Sequence, residues 1–574
     1  MWASTTSYIT QQKGDSVTDT AYYKAEFSSV AELEAAKREL AAQIAAEGSV
    51  LLKNINDALP LNAGSEAVTV WGLNSLFPTL GGLMGSSVSA AADAGQEEVG
   101  ILAALGMKGV QINGDMAGFY GQFYENVRKG SMFGFEIPGH SLTINFSTIT
   151  EPVTAYPIGE LSPDTYTSEV LASADGTTAI VILSRDSSET ADYFAEMKAT
   201  GGDSYTSPLA LSQYERELIR LAKEHSNGKV IVLLNTDTPM EIEELKQDPD
   251  VDAILWTGLP GMYGFEGVAD VLVGSESPSG RMLDTYAVST TSAPAMVNFG
   301  LYAYANNSST AGSPLTADDL ADYYYVESQG IYTGYKYYET RYEDQILNQG
   351  NAAAAAGSTT GSAWNYADEV SYPFGYGMSY TSFSLELKSV DVQIGGTSKA
   401  VVNVTNTGST AGKEVVQLYV QAPYTKSGLE KAAIQLVNFG KTGVLQPGAS
   451  EDVTIEFDAQ YFASYDEALV KTNGSAGAWV LEAGDYYFAV GNGAHNTLNN
   501  VLAAKTGSTD GLITINDDEI ISADNAIVWT LNAADSETYS KNVENALQDA
   551  DLNNLIPARW NIPPVPTGQR AGPP

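Results

Sequence analysis

Four short apolar runs constrain the fold of this chain most: AVTVWG from residue 67, TAIVILS from 178, KVIVLLN from 229 and DAILWTG from 252. A strand with one wet face alternates apolar and polar residues. Runs without alternation are what strands covered on both faces require. Amphipathic segments lie between and before them. SQYERELIRLAKEH carries a capping box, Ser212 to Glu215, and turns Leu218, Ile219 and Leu221 toward a core, while GFEGVADVLVG reads as a second packing helix. A third helix, from residue 31, ends at Gly48. Alternating strand and helix predict an α/β domain on a largely parallel sheet, whose functional loops lie beyond the carboxyl ends of its strands.

The pattern changes after residue 304. NNSSTAGS and NAAAAAGSTTGS are small-residue linkers or loops, and they flank the tyrosine-rich stretch YYYVESQGIYTGYKYYETRY. From 385 to about 505 a period of two takes over, as in AVVNVTNTG, EVVQLYVQ, EDVTIEF and GDYYFAVGN. This predicts an all-β, fibronectin type III-like sandwich. The expected organisation is an extension and lead-in helix (1–46), the α/β sandwich domain (47–304), a tyrosine-rich connection (305–384), the β-sandwich (385–505) and a C-terminal segment (506–574). Aromatic runs such as the tyrosine cluster usually pack a core or a domain interface.

Charge narrows the partners. The 70 acidic residues against 29 basic ones give a net charge of -41, which repels nucleic-acid backbones and anionic membranes but not a neutral sugar. The absence of cysteine excludes disulfides, zinc–thiolate sites and thiol catalysis. His140, His225 and His495 are too scattered for a metal motif, and GGLMGSS lacks the lysine and spacing of a phosphate loop, so no metal or cofactor is expected. No apolar stretch reaches the roughly 18 residues of a spanning helix, and the opening residues lack the basic and apolar regions of an export signal. No membrane segment is expected in this chain, and its compartment stays open.

EGSVLLKNINDALPL (47–61), GGLMGSS (81–87), PGMYGFEGVADVLVGSESPSGRM (260–282) and YPFGYGMSYTSF (372–383) resemble, in order, the accessory-domain motifs of glycoside hydrolase family 3. LDTYA (283–287), GIYTGYKYYETRY (330–342) and GNGAHNTLNN (491–500) resemble a subgroup with permuted domain order, in which the catalytic TIM barrel comes last. NVENALQDADLNN resembles the lead into that barrel. The resemblance implies that the barrel itself is missing here. It also implies a β-glucosidase-like retaining exo-glycosidase acting on a β-glucoside or oligosaccharide.

Such an enzyme needs two carboxyl groups, a nucleophile and an acid/base, about 5–5.5 Å apart. In the family the nucleophile is a barrel aspartate in a Ser-Asp-Trp context, and that tripeptide is absent from these residues. The acid/base glutamate sits in a loop of the form Arg-x-x-Gly-Glu-Gly on the α/β domain. RDSSETAD matches it at Arg185, Glu189 and Asp192, which assigns Glu189 as acid/base and Arg185 and Asp192 as substrate-binding candidates. Ser188 and Thr190 replace the glycines beside the glutamate, and Gln329 replaces the family's glutamate before GIY. Read from its residues alone, Glu189 is a solvated loop carboxylate paired with Arg185. Two functions follow: the accessory part of a glycosidase, inactive on its own, or a non-catalytic carbohydrate-binding or cell-surface module.

Overall fold

A computed structural model describes residues 26–76, 78–81, 98–123, 129–132, 135–138, 143–144, 160–185, 193, 202–299, 302–303, 323–324, 328–349, 354–426, 428–470, 476–516 and 519–540. The four apolar runs form the centre of one six-stranded sheet. Its spatial order is Val50–Asn54, Ala253–Trp256, Ser226–Thr236, Thr177–Arg185, Ala67–Trp71 and Gln111–Ile112. All neighbours are parallel except the first pair. Val50–Asn54 comes from the SVLLKN that follows the lead-in helix, and its antiparallel pairing closes that edge of the sheet.

Burial explains why the runs are continuous. In Thr177–Arg185, Ala179, Val181 and Leu183 enter one core while Ile180 and Ile182 enter the other. Val230, Val232 and Leu234 are likewise divided from Ile231 and Leu233. Both faces are therefore dry, and each buried aliphatic side chain contributes about 1.5–3 kcal/mol. The Gln213–His225 helix covers the first face with Leu218, Ile219 and Leu221. The Gly264–Leu272 helix covers the second, and the Val30–Gly48 helix packs on it. That pair meets backbone to backbone at Gly267, where an added Cβ would lie 1.8 Å from the carbonyl oxygen of Ala42.

The β-sandwich packs Phe383–Asp391, Thr397–Asn406 and Ser450–Asp458 against a sheet ordered Gln435–Lys441, Val415–Gln421, Gly484–Val490, Ala526–Leu531. The last of these strands is drawn from the sequence after 505. The end of the tyrosine-rich stretch forms the helix Tyr335–Leu347, whose Tyr337, Tyr338 and Tyr342 are buried in a core shared with Leu498 and Leu502 of the helix Ala494–Thr506. Between the two sheet domains, Glu47 pairs with Lys413 and Lys441, and Arg281 pairs with Glu414. Gln417 Nε2 adds a hydrogen bond to the Gly375 carbonyl at 2.9 Å. No described helix is long and apolar enough to cross a membrane.

Candidate functional site

From Ala67–Trp71 the chain moves outward to Gln111–Ile112, then returns to the other side of its starting strand with Thr177–Arg185 and winds away through Ser226–Thr236 to Ala253–Trp256. The winding direction reverses between Trp71 and Arg185. In open α/β sheets, the crevice outside the carboxyl ends at such a reversal is where ligands bind. Arg185, the first residue of RDSSETAD, ends its strand at this point.

Arg185 is the last residue of its strand and is buried. Its carboxylate partner is Glu215, 30 residues along the chain: Nη1 meets Oε1 at 2.6 Å and Nη2 meets Oε2 at 3.0 Å. Nη1 also donates to the Ser184 carbonyl at 2.9 Å, Nε to Pro208 at 2.7 Å and Nη2 to Ala210 at 2.6 Å. A guanidinium has five N–H donors, and these bonds account for all of them. The sequence expectation has Arg185 reaching a sugar hydroxyl or pairing with Glu189; among the described residues its partners are Glu215 and backbone carbonyls. It is an internal clamp that ties the end of its strand to the chain returning at 208–210. Asp186, Glu189 and Asp192 lie outside the described residues.

Glu215 can serve Arg185 because its own helix start fixes it. Ser212 Oγ accepts from Glu215 N at 3.1 Å, and Glu215 Oε2 accepts from Ser212 N at 2.8 Å, the capping box read from the sequence. Three unforeseen groups complete the floor of the crevice. Buried Asn235 donates to the carbonyls of Thr79 (2.9 Å) and Gly258 (2.7 Å) and accepts from Thr79 N (2.7 Å). Thr79 Oγ1 in turn lies 2.7 Å from Ser184 Oγ. One amide thus joins the end of its own strand to the loops beyond two others. The signal in the sequence was a polar residue closing an apolar run, since buried amides persist only where their bonds are met.

On the other side of the reversal, Gly72 turns the chain at φ +98°, where an added Cβ would come within 3.1 Å of the Ile182 carbonyl oxygen. Its N–H donates to Tyr120 Oη at 2.7 Å, and Glu160 accepts from the N–H groups of Leu73 and Leu161. Burial, reinforced by the Glu160 charge, pushes the Tyr120 hydroxyl well above its usual range, so it stays protonated. Two further carboxylates belong to this region. Asp237 directly follows the Ser226–Thr236 strand, and the charges of Asp284 and Asp237 both bear on the buried Tyr286. Asp284 keeps solvent contact, yet the protein crowding it strips enough water to raise its carboxyl above the ordinary range. Among the described residues, no cluster of histidine and carboxylate side chains could hold a metal ion.

Comparison with known proteins places this arrangement. Residues 49–380, more than half of the chain, match the glycosyl hydrolase family 3 C-terminal domain, and residues 414–494 match a fibronectin type III-like domain. Beta-glucosidase A of Butyrivibrio fibrisolvens is 29% identical over 489 residues, covering 80% of this chain and 50% of that protein. A beta-glucosidase of Ruminococcus albus is 32% identical over 322 residues, which is 56% of this chain and 28% of that protein. Among solved structures, a beta-glucosidase from Paenibacillus barengoltzii aligns with a TM-score of 0.59 at 28% identity, over 87% of this chain and 44% of that one. Beta-glucosidase 3B from Thermotoga neapolitana, solved with alpha-D-glucose, aligns at 0.57 and 25%, over 88% and 55% respectively. The chain spans about half the length, or less, of these relatives. By these matches, and by an α/β sheet followed by a fibronectin type III-like sandwich, the chain belongs to glycosyl hydrolase family 3.

Proposed function

We propose that this chain is the accessory part of a retaining, exo-acting β-glycosidase of the β-glucosidase type, supplying the acid/base carboxyl while the nucleophile lies on a TIM barrel outside these residues. The observation that carries the reading is the placement of Arg185, clamped at the carboxyl edge of the sheet where the winding reverses. The chain that bears Glu189 starts from this fixed point. Glu189 would protonate the leaving glycosidic oxygen and then take a proton from the water that hydrolyses the glycosyl intermediate. Asp192 would contact sugar hydroxyls. A neutral β-glucoside or oligosaccharide suits a protein whose charge of -41 disfavours anionic ligands.

An aryl β-glucoside assay tests this directly. The chain alone is expected to give no turnover, while fusion to a family barrel should give turnover that Glu189→Gln abolishes. Turnover by the chain alone that Glu189→Gln removes would reveal a nucleophile within it, with Asp186 and Asp192 the first carboxylates to test. The second reading, a non-catalytic carbohydrate-binding module, is favoured by Ser188 and Thr190, whose side chains restrict the backbone where the family has glycine. Calorimetric binding of cello-oligosaccharides with no turnover in the barrel fusion would select it.

A further inference from the structure

His495 is fully buried in the helix Ala494–Thr506. Its Nδ1 lies 2.9 Å from Glu339 Oε2 and its Nε2 lies 2.8 Å from the carbonyl oxygen of Ile513. A carbonyl only accepts, so Nε2 must carry a proton. One further proton lies between Nδ1 and Glu339. The other carboxyl oxygen, Oε1, accepts from Tyr366 Oη at 2.5 Å, so both oxygens of Glu339 face donors and the proton between is assigned to the imidazole. The Tyr366 ring stacks on the imidazole with centroids 3.8 Å apart and planes within 13°, and the Tyr342 ring packs at 4.5 Å.

We propose that His495 is a buried imidazolium which, with Glu339, clasps the helix following the sandwich to the tyrosine-rich helix, and that loss of its proton at alkaline pH releases this junction. Three stretches of the chain meet there. Glu339 and Tyr342 come from Tyr335–Leu347, His495 and Asn499 from Ala494–Thr506, and Ile513 from the chain beyond. Asn499 accepts from Tyr342 Oη at 2.7 Å and donates to the Ile513 carbonyl at 2.8 Å, and Ile513 N donates to Tyr342 Oη at 2.8 Å. Among the described residues, the titratable groups that face His495 are acids: Glu339, Tyr342, Tyr366 and, through its charge, Glu519. Lys505, on the same helix, is committed to Glu343 and Gln421.

Burial alone would lower the His495 pKa, but the Glu339 carboxylate outweighs it and holds the imidazole above its ordinary range. The clasp is therefore at full strength below about 6.5, the unfolded histidine value, and weakens as pH rises through the raised folded value. Once neutral, Nδ1 would present a lone pair to a carboxylate.

With three histidines in the chain, spectra of the protein labelled with ¹⁵N-histidine can be assigned by substituting His140 and His225. The expected result is that the His495 ring carries a proton on both nitrogens at neutral pH. A single protonated nitrogen on His495 at neutral pH would overturn the proposal. The thermal midpoint of the full chain should also fall more steeply than that of His495→Gln between pH 6.5 and 9. Parallel curves would overturn the clasp as a pH-responsive element. If His495→Gln does not fold, the ring-proton result decides. Amide exchange in 508–516 should quicken beyond its intrinsic pH dependence as the ring deprotonates, and exchange that follows only the intrinsic dependence would count against release there.

Discussion

Arg185 shows what a single side chain does at the reversal point of the sheet. The sequence identifies it as the first residue of a charged loop, and the fold turns it inward to a carboxylate 30 residues away. Removing one member of a buried ion pair leaves the other charge desolvated, which costs about 3–5 kcal/mol. Arg185→Ala is therefore expected to lower the urea midpoint strongly with little change in slope. Asn235→Ala deprives Thr79 and Gly258 of their buried partners, and each unmet group costs about 1–3 kcal/mol. It should lower the midpoint as well, with faster amide exchange around Thr79. Glu215 was legible as half of a capping box because that motif is local. Its bond to Arg185 was not, because the partner is set by how strand and helix pack.

At the scale of elements, the parallel strands were readable because burial on both faces leaves an unbroken apolar run, and the sandwich strands because burial on one face leaves alternation. The helix Ala494–Thr506 hid from the same reasoning. Beside the apolar Ala494, Leu498 and Leu502, its His495, Asn496, Thr497, Asn499 and Asn500 are buried through hydrogen bonds, so residues that read as a wet face lie inside. The close approach of Val30–Gly48 to Gly264–Leu272 was equally silent, although Gly267 makes it possible. Gly267→Ala would drive a methyl into the Ala42 carbonyl, and overpacking of this kind costs about 1–3 kcal/mol. A lower melting temperature is expected, with earlier proteolytic cleavage near the lead-in helix. An unchanged melt would mean that the two helices separate freely.

Across the whole molecule, a charged cluster centred on Glu47 is one of the contacts that join the two sheet domains. Partial burial raises the Glu47 carboxyl, but bonds from Lys413, Lys441 and Gln43 prevail and bring it down to about 2. A depressed carboxylate stabilises the folded state above its unfolded value, near 4.5, and this contribution is lost as pH falls toward 2. Calorimetry should therefore show the domains melting together at pH 7 and drawing apart near pH 3, and Glu47→Gln should shift that separation toward neutral pH. The net charge of -41 adds repulsion that salt screens, so added salt is expected to raise the melting temperature at neutral pH.

The sequence by itself determined the fold class and the family, because periodicity, capping and ordered motifs are written in neighbouring residues. Only the tertiary structure decided that Arg185 faces inward, that Asn235 joins the end of its strand to the loops beyond two others and that His495 meets Glu339. Each of those partners is chosen by which surfaces are buried together, and burial between distant segments leaves no mark on the spacing of residues along the chain.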